Sequence, residues 1–157
     1  MTHNYQTTLT WEGNRGSGTS GYKSYDRDYS VEIDGKPTVK GSADPSFRGD
    51  PGKHNPEELF LASLSACHML WYLHLCADHG ITVVEYTDAA TGEMKTEQNG
   101  SGRFTSVTLH PTVLIKKANN LKLAKEFHHK ANEMCFIANS CNFPVLHEVT
   151  ILAQKGM

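Results

Sequence analysis

The stretch Asn55-Pro56-Glu57-Glu58-Leu59-Phe60-Leu61-Ala62-Ser63-Leu64-Ser65-Ala66-Cys67-His68-Met69-Leu70-Trp71-Tyr72-Leu73 decides how the rest of this chain is read. Asn55 suits an N-cap, and Pro56 suits the first helical position, where its missing N–H costs nothing. Glu57 and Glu58 fall in the first turn, where carboxylates meet the positive end of the helix dipole. Gly80 is placed to end the helix as its C′ residue. Leu59, Ala62, Ala66, Met69 and Leu73 share one face, while Leu64, Trp71 and Leu75 share another. The pattern predicts a long helix that is buried on most sides. One sheet in a chain of 157 residues covers such a helix poorly, and a partner subunit would complete the cover. Ser63, Ser65, His68 and His74 interrupt the apolar run, so it reads as a core helix and no membrane contact is expected.

Cys67 lies in the middle of this helix, with the small residues Ala62, Ser63, Ser65 and Ala66 crowded before it. A cysteine reacts as its thiolate, which a neighbouring cation or a helix N-terminus stabilises. Cys67 is ~3 turns from its own N-terminus, beyond the reach of the dipole, so a reactive Cys67 must import its positive charge. The four arginines are Arg15, Arg27, Arg48 and Arg103. Arg48 belongs to the Pro/Gly loop leading into the helix and is the first choice. Arg15, in the glycine-rich loop 13–21, is the alternative. Against this stands the plainer reading of Cys67 as a small buried hydrophobe. Cys76 reads as core and Cys141 as structural, since neither completes a metal-ligand spacing. The nine histidines show no useful cluster: His128 and His129 point to different sides of a helix, and His68 points away from Cys67.

The remainder of the chain suggests one domain, 1–157, of α+β class. Strands are expected over 5–12, 28–33 and 37–41, with Asp34-Gly35 as a hairpin turn. Further strands follow at 81–86, 103–116 and 145–153, with a loop over 88–102. A second helix runs from Leu121 to about Ile137, giving the order βββ-α-ββ-α-β. The formal charge of −2 offers no case for nucleic acid or an acidic membrane surface. Residues 1–20 carry no apolar run, so no secretory signal is expected. Four cysteines in such a chain are more in keeping with free or reactive thiols than with a disulfide framework, and a cytoplasmic location is expected.

The Asn-Pro-Glu helix start followed by Ser65-Ala66-Cys67, together with Glu133-Met134-Cys135-Phe136-Ile137-Ala138-Asn139-Ser140, resembles the OsmC/Ohr family, the osmotically inducible and organic hydroperoxide resistance proteins. The resemblance implies an OsmC-like fold assembled as an intertwined homodimer, with thiol peroxidase chemistry. By that likeness Cys67 is the peroxidatic thiolate and Cys135 the resolving thiol. Glu57 matches the family glutamate that holds an arginine, and Phe47-Arg48-Gly49-Asp50 resembles the osmotically inducible branch. Arg15 would serve in the hydroperoxide-resistance branch. Many members carry proline directly after the second cysteine, where this chain has Phe136. The expected substrate is a small organic hydroperoxide, bounded by Phe60, Leu64, Leu70 and Phe136. The expected reductant is an external dithiol, such as a lipoyl-bearing protein. No cofactor and no metal are implied. The alternative is a non-catalytic ligand-binding or redox-sensing member of the same family.

Glu57 and Cys67 are ten residues apart on one helix, ~15 Å along the axis and ~80° around it. A glutamate cannot span that within one chain. If both serve one site, the partner subunit must supply one of them.

Overall fold

Residues 1–154 are described by the computed structural model. They form two compact units, Met1–Phe60 and the chain from Leu61 onward.

The first unit holds a three-stranded antiparallel sheet in the order β1 (Thr8–Trp11), β2 (Tyr29–Glu32), β3 (Val39–Gly41). The expected Asp34-Gly35 turn joins β2 to β3, with Gly35 at φ 71° and Lys36 N–H bonded to Ile33 O at 3.0 Å. Helix α1 (Pro56–Asp78) starts here under a reciprocal cap. Asn55 Oδ1 accepts the Glu58 N–H at 2.8 Å, and Glu58 Oε2 accepts the Asn55 N–H at 3.2 Å. Two donors that a helix start leaves open are thereby satisfied.

The second unit is built on α1, α2 (Leu121–Met134) and six strands. Strands β4 (Val83–Asp88), β7 (Pro111–Ile115) and β9 (Thr150–Ala153) form one sheet. Strands β5 (Thr91–Thr96), β6 (Gly102–Leu109) and β8 (Val145–His147) form another. The pairs β4/β7 and β5/β6 are antiparallel, while β7/β9 and β6/β8 are parallel. The observed order is βββ-α-ββββ-α-ββ, which corrects the expected one in three places. The runs 103–116 and 145–153 each break into two strands, at His110 and at residues 148–149. Asp88 marks the same corner: its Oδ1 accepts the His110 N–H at 2.7 Å. Pro111, which has no N–H to give a ladder, opens the next strand. The expected loop 88–102 contains β5, a strand of exposed residues that carries no alternating apolar signal. Helix α2 ends at Met134, three residues early, and a 3-10 turn (Ala138–Ser140) follows.

The core of this unit joins Tyr72 and Cys76 of α1 to Val113 and Ile115 of β7 and to Ala124, Phe127 and Ala131 of α2. Helix α1 buries a single stripe, Leu64, His68, Tyr72 and Cys76, spaced four residues apart. The face expected to be buried through Ala62 and Ala66 is exposed within one chain.

Candidate thiol site

Cys67 stands on α1, and Cys135 caps α2, where the backbone turns extended at φ −67°, ψ 111°. The two helices bring these thiols close enough for Cys67 to act on the titration of Cys135. Cys135 is 1% exposed while Cys67 is half-buried. Burial pushes the Cys135 thiol up to about 11. The Ala138 N–H, 3.4 Å from its sulfur, pulls the other way, and the neighbouring Cys67 adds to the rise. At neutral pH, Cys135 is therefore a protonated thiol, and Cys67 is the member of the pair that a small molecule can reach. Both are free thiols in this structure, as are Cys76 and Cys141.

An aromatic contact adjoins the two cysteines along the chain, with Phe136 66% exposed. Trp71 lies one turn after Cys67 on α1, and Phe136 follows Cys135 directly. Their rings meet edge to face at 5.6 Å. Of the other expected wall residues, Leu64 is wholly buried in the core and Leu70 is 63% exposed.

In the first unit, Arg48 caps the 3-10 turn Pro45–Phe47 in the left-handed conformation, at φ 67°. It is the sole non-glycine residue with positive φ among the described residues. Such a conformation costs a non-glycine residue of order 1 kcal/mol or more and persists where its surroundings impose it. Here they do. The Gly49 N–H bonds Asp44 O at 3.1 Å, and the Asp50 N–H bonds the buried Ser42 Oγ at 3.0 Å. A Cβ on Gly49 would lie 1.6 Å from Ala43 O. The loop is fixed and Arg48 is exposed on it.

Arg15 is differently employed. Its Nη2 donates to Lys23 O at 2.5 Å, and its Nε lies 3.6 Å from Asp26 Oδ1, so it pins the glycine-rich loop. Arg27 is likewise occupied between the rings of Tyr22 and Tyr25. Glu57 forms no ion pair among the described residues, and its Oε2 is buried without a hydrogen-bond partner. The bidentate Arg48–Glu57 pair implied by the resemblance is thus not formed within one chain. A buried carboxylate oxygen left open is costly unless something completes it.

The histidines do cluster, contrary to the expectation. His68 Nε2 lies 3.0 Å from His128 Nδ1, their rings stacked at 5.3 Å, with Tyr72 stacked on His128 at 3.8 Å. His147 flanks both. Burial holds His68 down to about 4, helped by His147 and opposed by Asp88. Burial also holds His128 down to about 3, with His68, His147 and His129 adding to it. No spacing rule could find this set, because His68, His128 and His147 come from three separate elements. Among the described residues, no group of three or more His, Cys, Asp or Glu is arranged to hold a metal ion.

The fold recurs in solved structures. An OsmC-like protein of unknown function from Vibrio cholerae shares 32% identity over 94% of this chain and 99% of its own, with a TM-score of 0.83. An OsmC-like protein from Mycoplasma pneumoniae superposes with a TM-score of 0.74 at 17% identity, covering 97% of this chain and 99% of its own. An organic hydroperoxide resistance protein from Elizabethkingia anophelis does so at 0.67 and 22%, covering 98% of this chain and 100% of its own. Among curated proteins there is no match. The family of OsmC-like proteins matches residues 49–150, a span that holds both α1 with Cys67 and the α2 end with Cys135. On these grounds the chain belongs to the OsmC-like protein family.

Proposed function

We propose that this protein is a cysteine-based peroxidase that reduces organic hydroperoxides to alcohols. The observation that carries the reading is the pairing of a partly accessible Cys67 with a buried, protonated Cys135 whose thiol it helps to push up. Attack of the Cys67 thiolate on the distal peroxide oxygen releases the alcohol and leaves a sulfenic acid on Cys67. Cys135 then condenses with it, releasing water and forming the Cys67–Cys135 disulfide. An external dithiol, such as a lipoyl-bearing protein, restores both thiols by exchange. The Trp71–Phe136 contact favours a substrate with an apolar tail over hydrogen peroxide. Two relatives at 22% and 20% identity, from Elizabethkingia anophelis and Legionella pneumophila, are organic hydroperoxide resistance proteins, in keeping with this substrate class.

Arg48 supplies the cation, Glu57 holds it, and the working unit is a homodimer in the cytoplasm. Arg48 is favoured over Arg15 because Arg15 and Arg27 already serve the backbone of their own loops, whereas Arg48 is exposed on a fixed loop. The test is consumption of cumene hydroperoxide with a dithiol. Wild type turns over and Cys67→Ser does not. Peptide mapping of samples quenched early finds Cys67–Cys135 as the first disulfide. Full activity in Cys67→Ser, or a first bridge from Cys67 to Cys76, would overturn the reading.

A further inference from the structure

Cys141 is the one partly accessible thiol that this mechanism leaves unused, and it stands across a single peptide group from Cys135. The Ala138 N–H donates to Cys135 Sγ at 3.4 Å, and Cys141 Sγ donates to Ile137 O at 3.2 Å. That nitrogen and that oxygen belong to the same Ile137–Ala138 peptide. In a trans peptide they point to opposite edges, so the two sulfurs lie off opposite edges of it. Bond lengths within the peptide put the sulfurs no more than about 9 Å apart. The only regular structure between the two cysteines is the three-residue 3-10 turn Ala138–Ser140. Hydrogen bonds of such turns have poorer geometry than those of an α-helix. Cys135 is 1% exposed, whereas Cys141 is partly exposed at the end of that turn.

We propose that Cys141 is a third redox thiol, to which the disulfide passes before the external dithiol removes it. The inference rests on the peroxidase reading above. After resolution, the Cys141 thiolate, its proton lost to solvent, attacks Cys135 Sγ in the Cys67–Cys135 bond. The Cys135–Cys141 bond forms as the Cys67–Cys135 bond breaks, and the electron pair leaves with Cys67, now again a thiolate. No net oxidation occurs in this exchange; the oxidising equivalent moves from a bridge with a buried sulfur to one ending at an accessible sulfur. The turn must open for it, because the Ile137–Ala138 peptide lies between the two sulfurs and a disulfide brings them to about 2.05 Å. An external dithiol then reduces Cys135–Cys141 by two exchanges and becomes a disulfide itself.

The consequence is countable. With Cys67 set free, one chain consumes a second hydroperoxide before any reductant acts, ending with a sulfenic acid on Cys67 beside the Cys135–Cys141 bridge. The reduced full-length protein is titrated with cumene hydroperoxide without reductant, and dimedone is added once consumption stops, to trap the sulfenic acid that remains. Wild type is expected to consume two equivalents per chain and to carry Cys135–Cys141 plus a dimedone adduct on Cys67. Cys141→Ser and Cys141→Ala are both expected to stop at one equivalent, locked as Cys67–Cys135. If wild type also stops at one equivalent with Cys67–Cys135 intact, the relay is wrong while the peroxidase reading stands. If Cys67 is never oxidised, the peroxidase reading falls and takes the relay with it. Diamide treatment of Cys67→Ser supplies an independent arm: Cys135–Cys141 forms if the turn can open, and its absence overturns the relay whatever the titration gives.

Discussion

Arg48 and Arg15 differ in what their side chains already do. Arg15 is spent on Lys23 O and Asp26, and its removal loosens the loop that it pins. Arg48 is exposed on a loop whose hydrogen bonds and close packing hold its backbone in the left-handed region. Arg48→Ala is therefore expected to slow hydroperoxide reduction more than tenfold and to raise the pH at which Cys67 alkylates, with little effect on the unfolding midpoint. Arg48→Lys should rescue only part of the rate, because an ammonium lacks the planar fork that a carboxylate such as Glu57 matches. The measurement is paired: steady-state rates beside iodoacetamide kinetics across pH. An Arg48→Ala enzyme as fast as wild type, with Arg15→Ala inactive, would move the cation to the glycine-rich loop.

Two elements, α1 and α2, meet through the His68–His128 contact, and this makes their packing sensitive to acid. Unfolded histidine titrates near 6.5. In the fold these two are held down to about 4 and about 3, and burial holds His147 below its ordinary range as well. Between the folded and unfolded values the unfolded chain binds more protons, so stability rises with pH across that window. The contribution is complete above about 6.5 and is lost progressively as pH falls towards 4. Urea midpoints measured from pH 7 to 5, above the range where most carboxylates titrate, are expected to fall, and His68→Gln should flatten that slope. An unchanged slope in His68→Gln would separate the pair from the acid response. The same elements explain what the sequence could and could not reveal. Helix α1 was legible because its cap, first-turn acids and terminal glycine agree with one another. The strand β5 was not, because Thr91-Gly92-Glu93-Met94-Lys95-Thr96 is exposed throughout and buries no alternate residue. The split strands looked continuous because a corner at His110 changes sheet without breaking the apolar run. No local spacing marks the thiol pair, since Cys67 and Cys135 come near each other only once both helices are packed. The histidine set, drawn from three elements, left no local trace at all.

At the scale of the whole molecule, α1 is too apolar for the cover one chain gives it. It is long and apolar enough to cross a membrane by length and composition, yet only 22% of its most apolar window is buried. Ala62, Ala66 and Leu70, four residues apart, form an exposed apolar stripe whose two alanines let another backbone approach closely. Glu57 carries a buried oxygen with no partner on the same helix, ~15 Å along the axis from Cys67. Antiparallel packing of two copies of α1 answers these observations together. It covers the stripe, and it sets Glu57 of one chain towards Cys67 of the other. The expected assembly is an obligate homodimer with an apolar interface above ~2,000 Å² and two composite sites. Complementation tests this directly. Cys67→Ser and Glu57→Ala chains are each inactive as homodimers. Co-refolded with separate affinity tags and purified as heterodimers, they hold one site with both the thiol and the glutamate intact, and close to half the wild-type activity per dimer should return. Sites built within a single chain would leave the heterodimer as inactive as its parents. A monomer at micromolar concentration by sedimentation, still turning over hydroperoxide, would remove the composite site altogether.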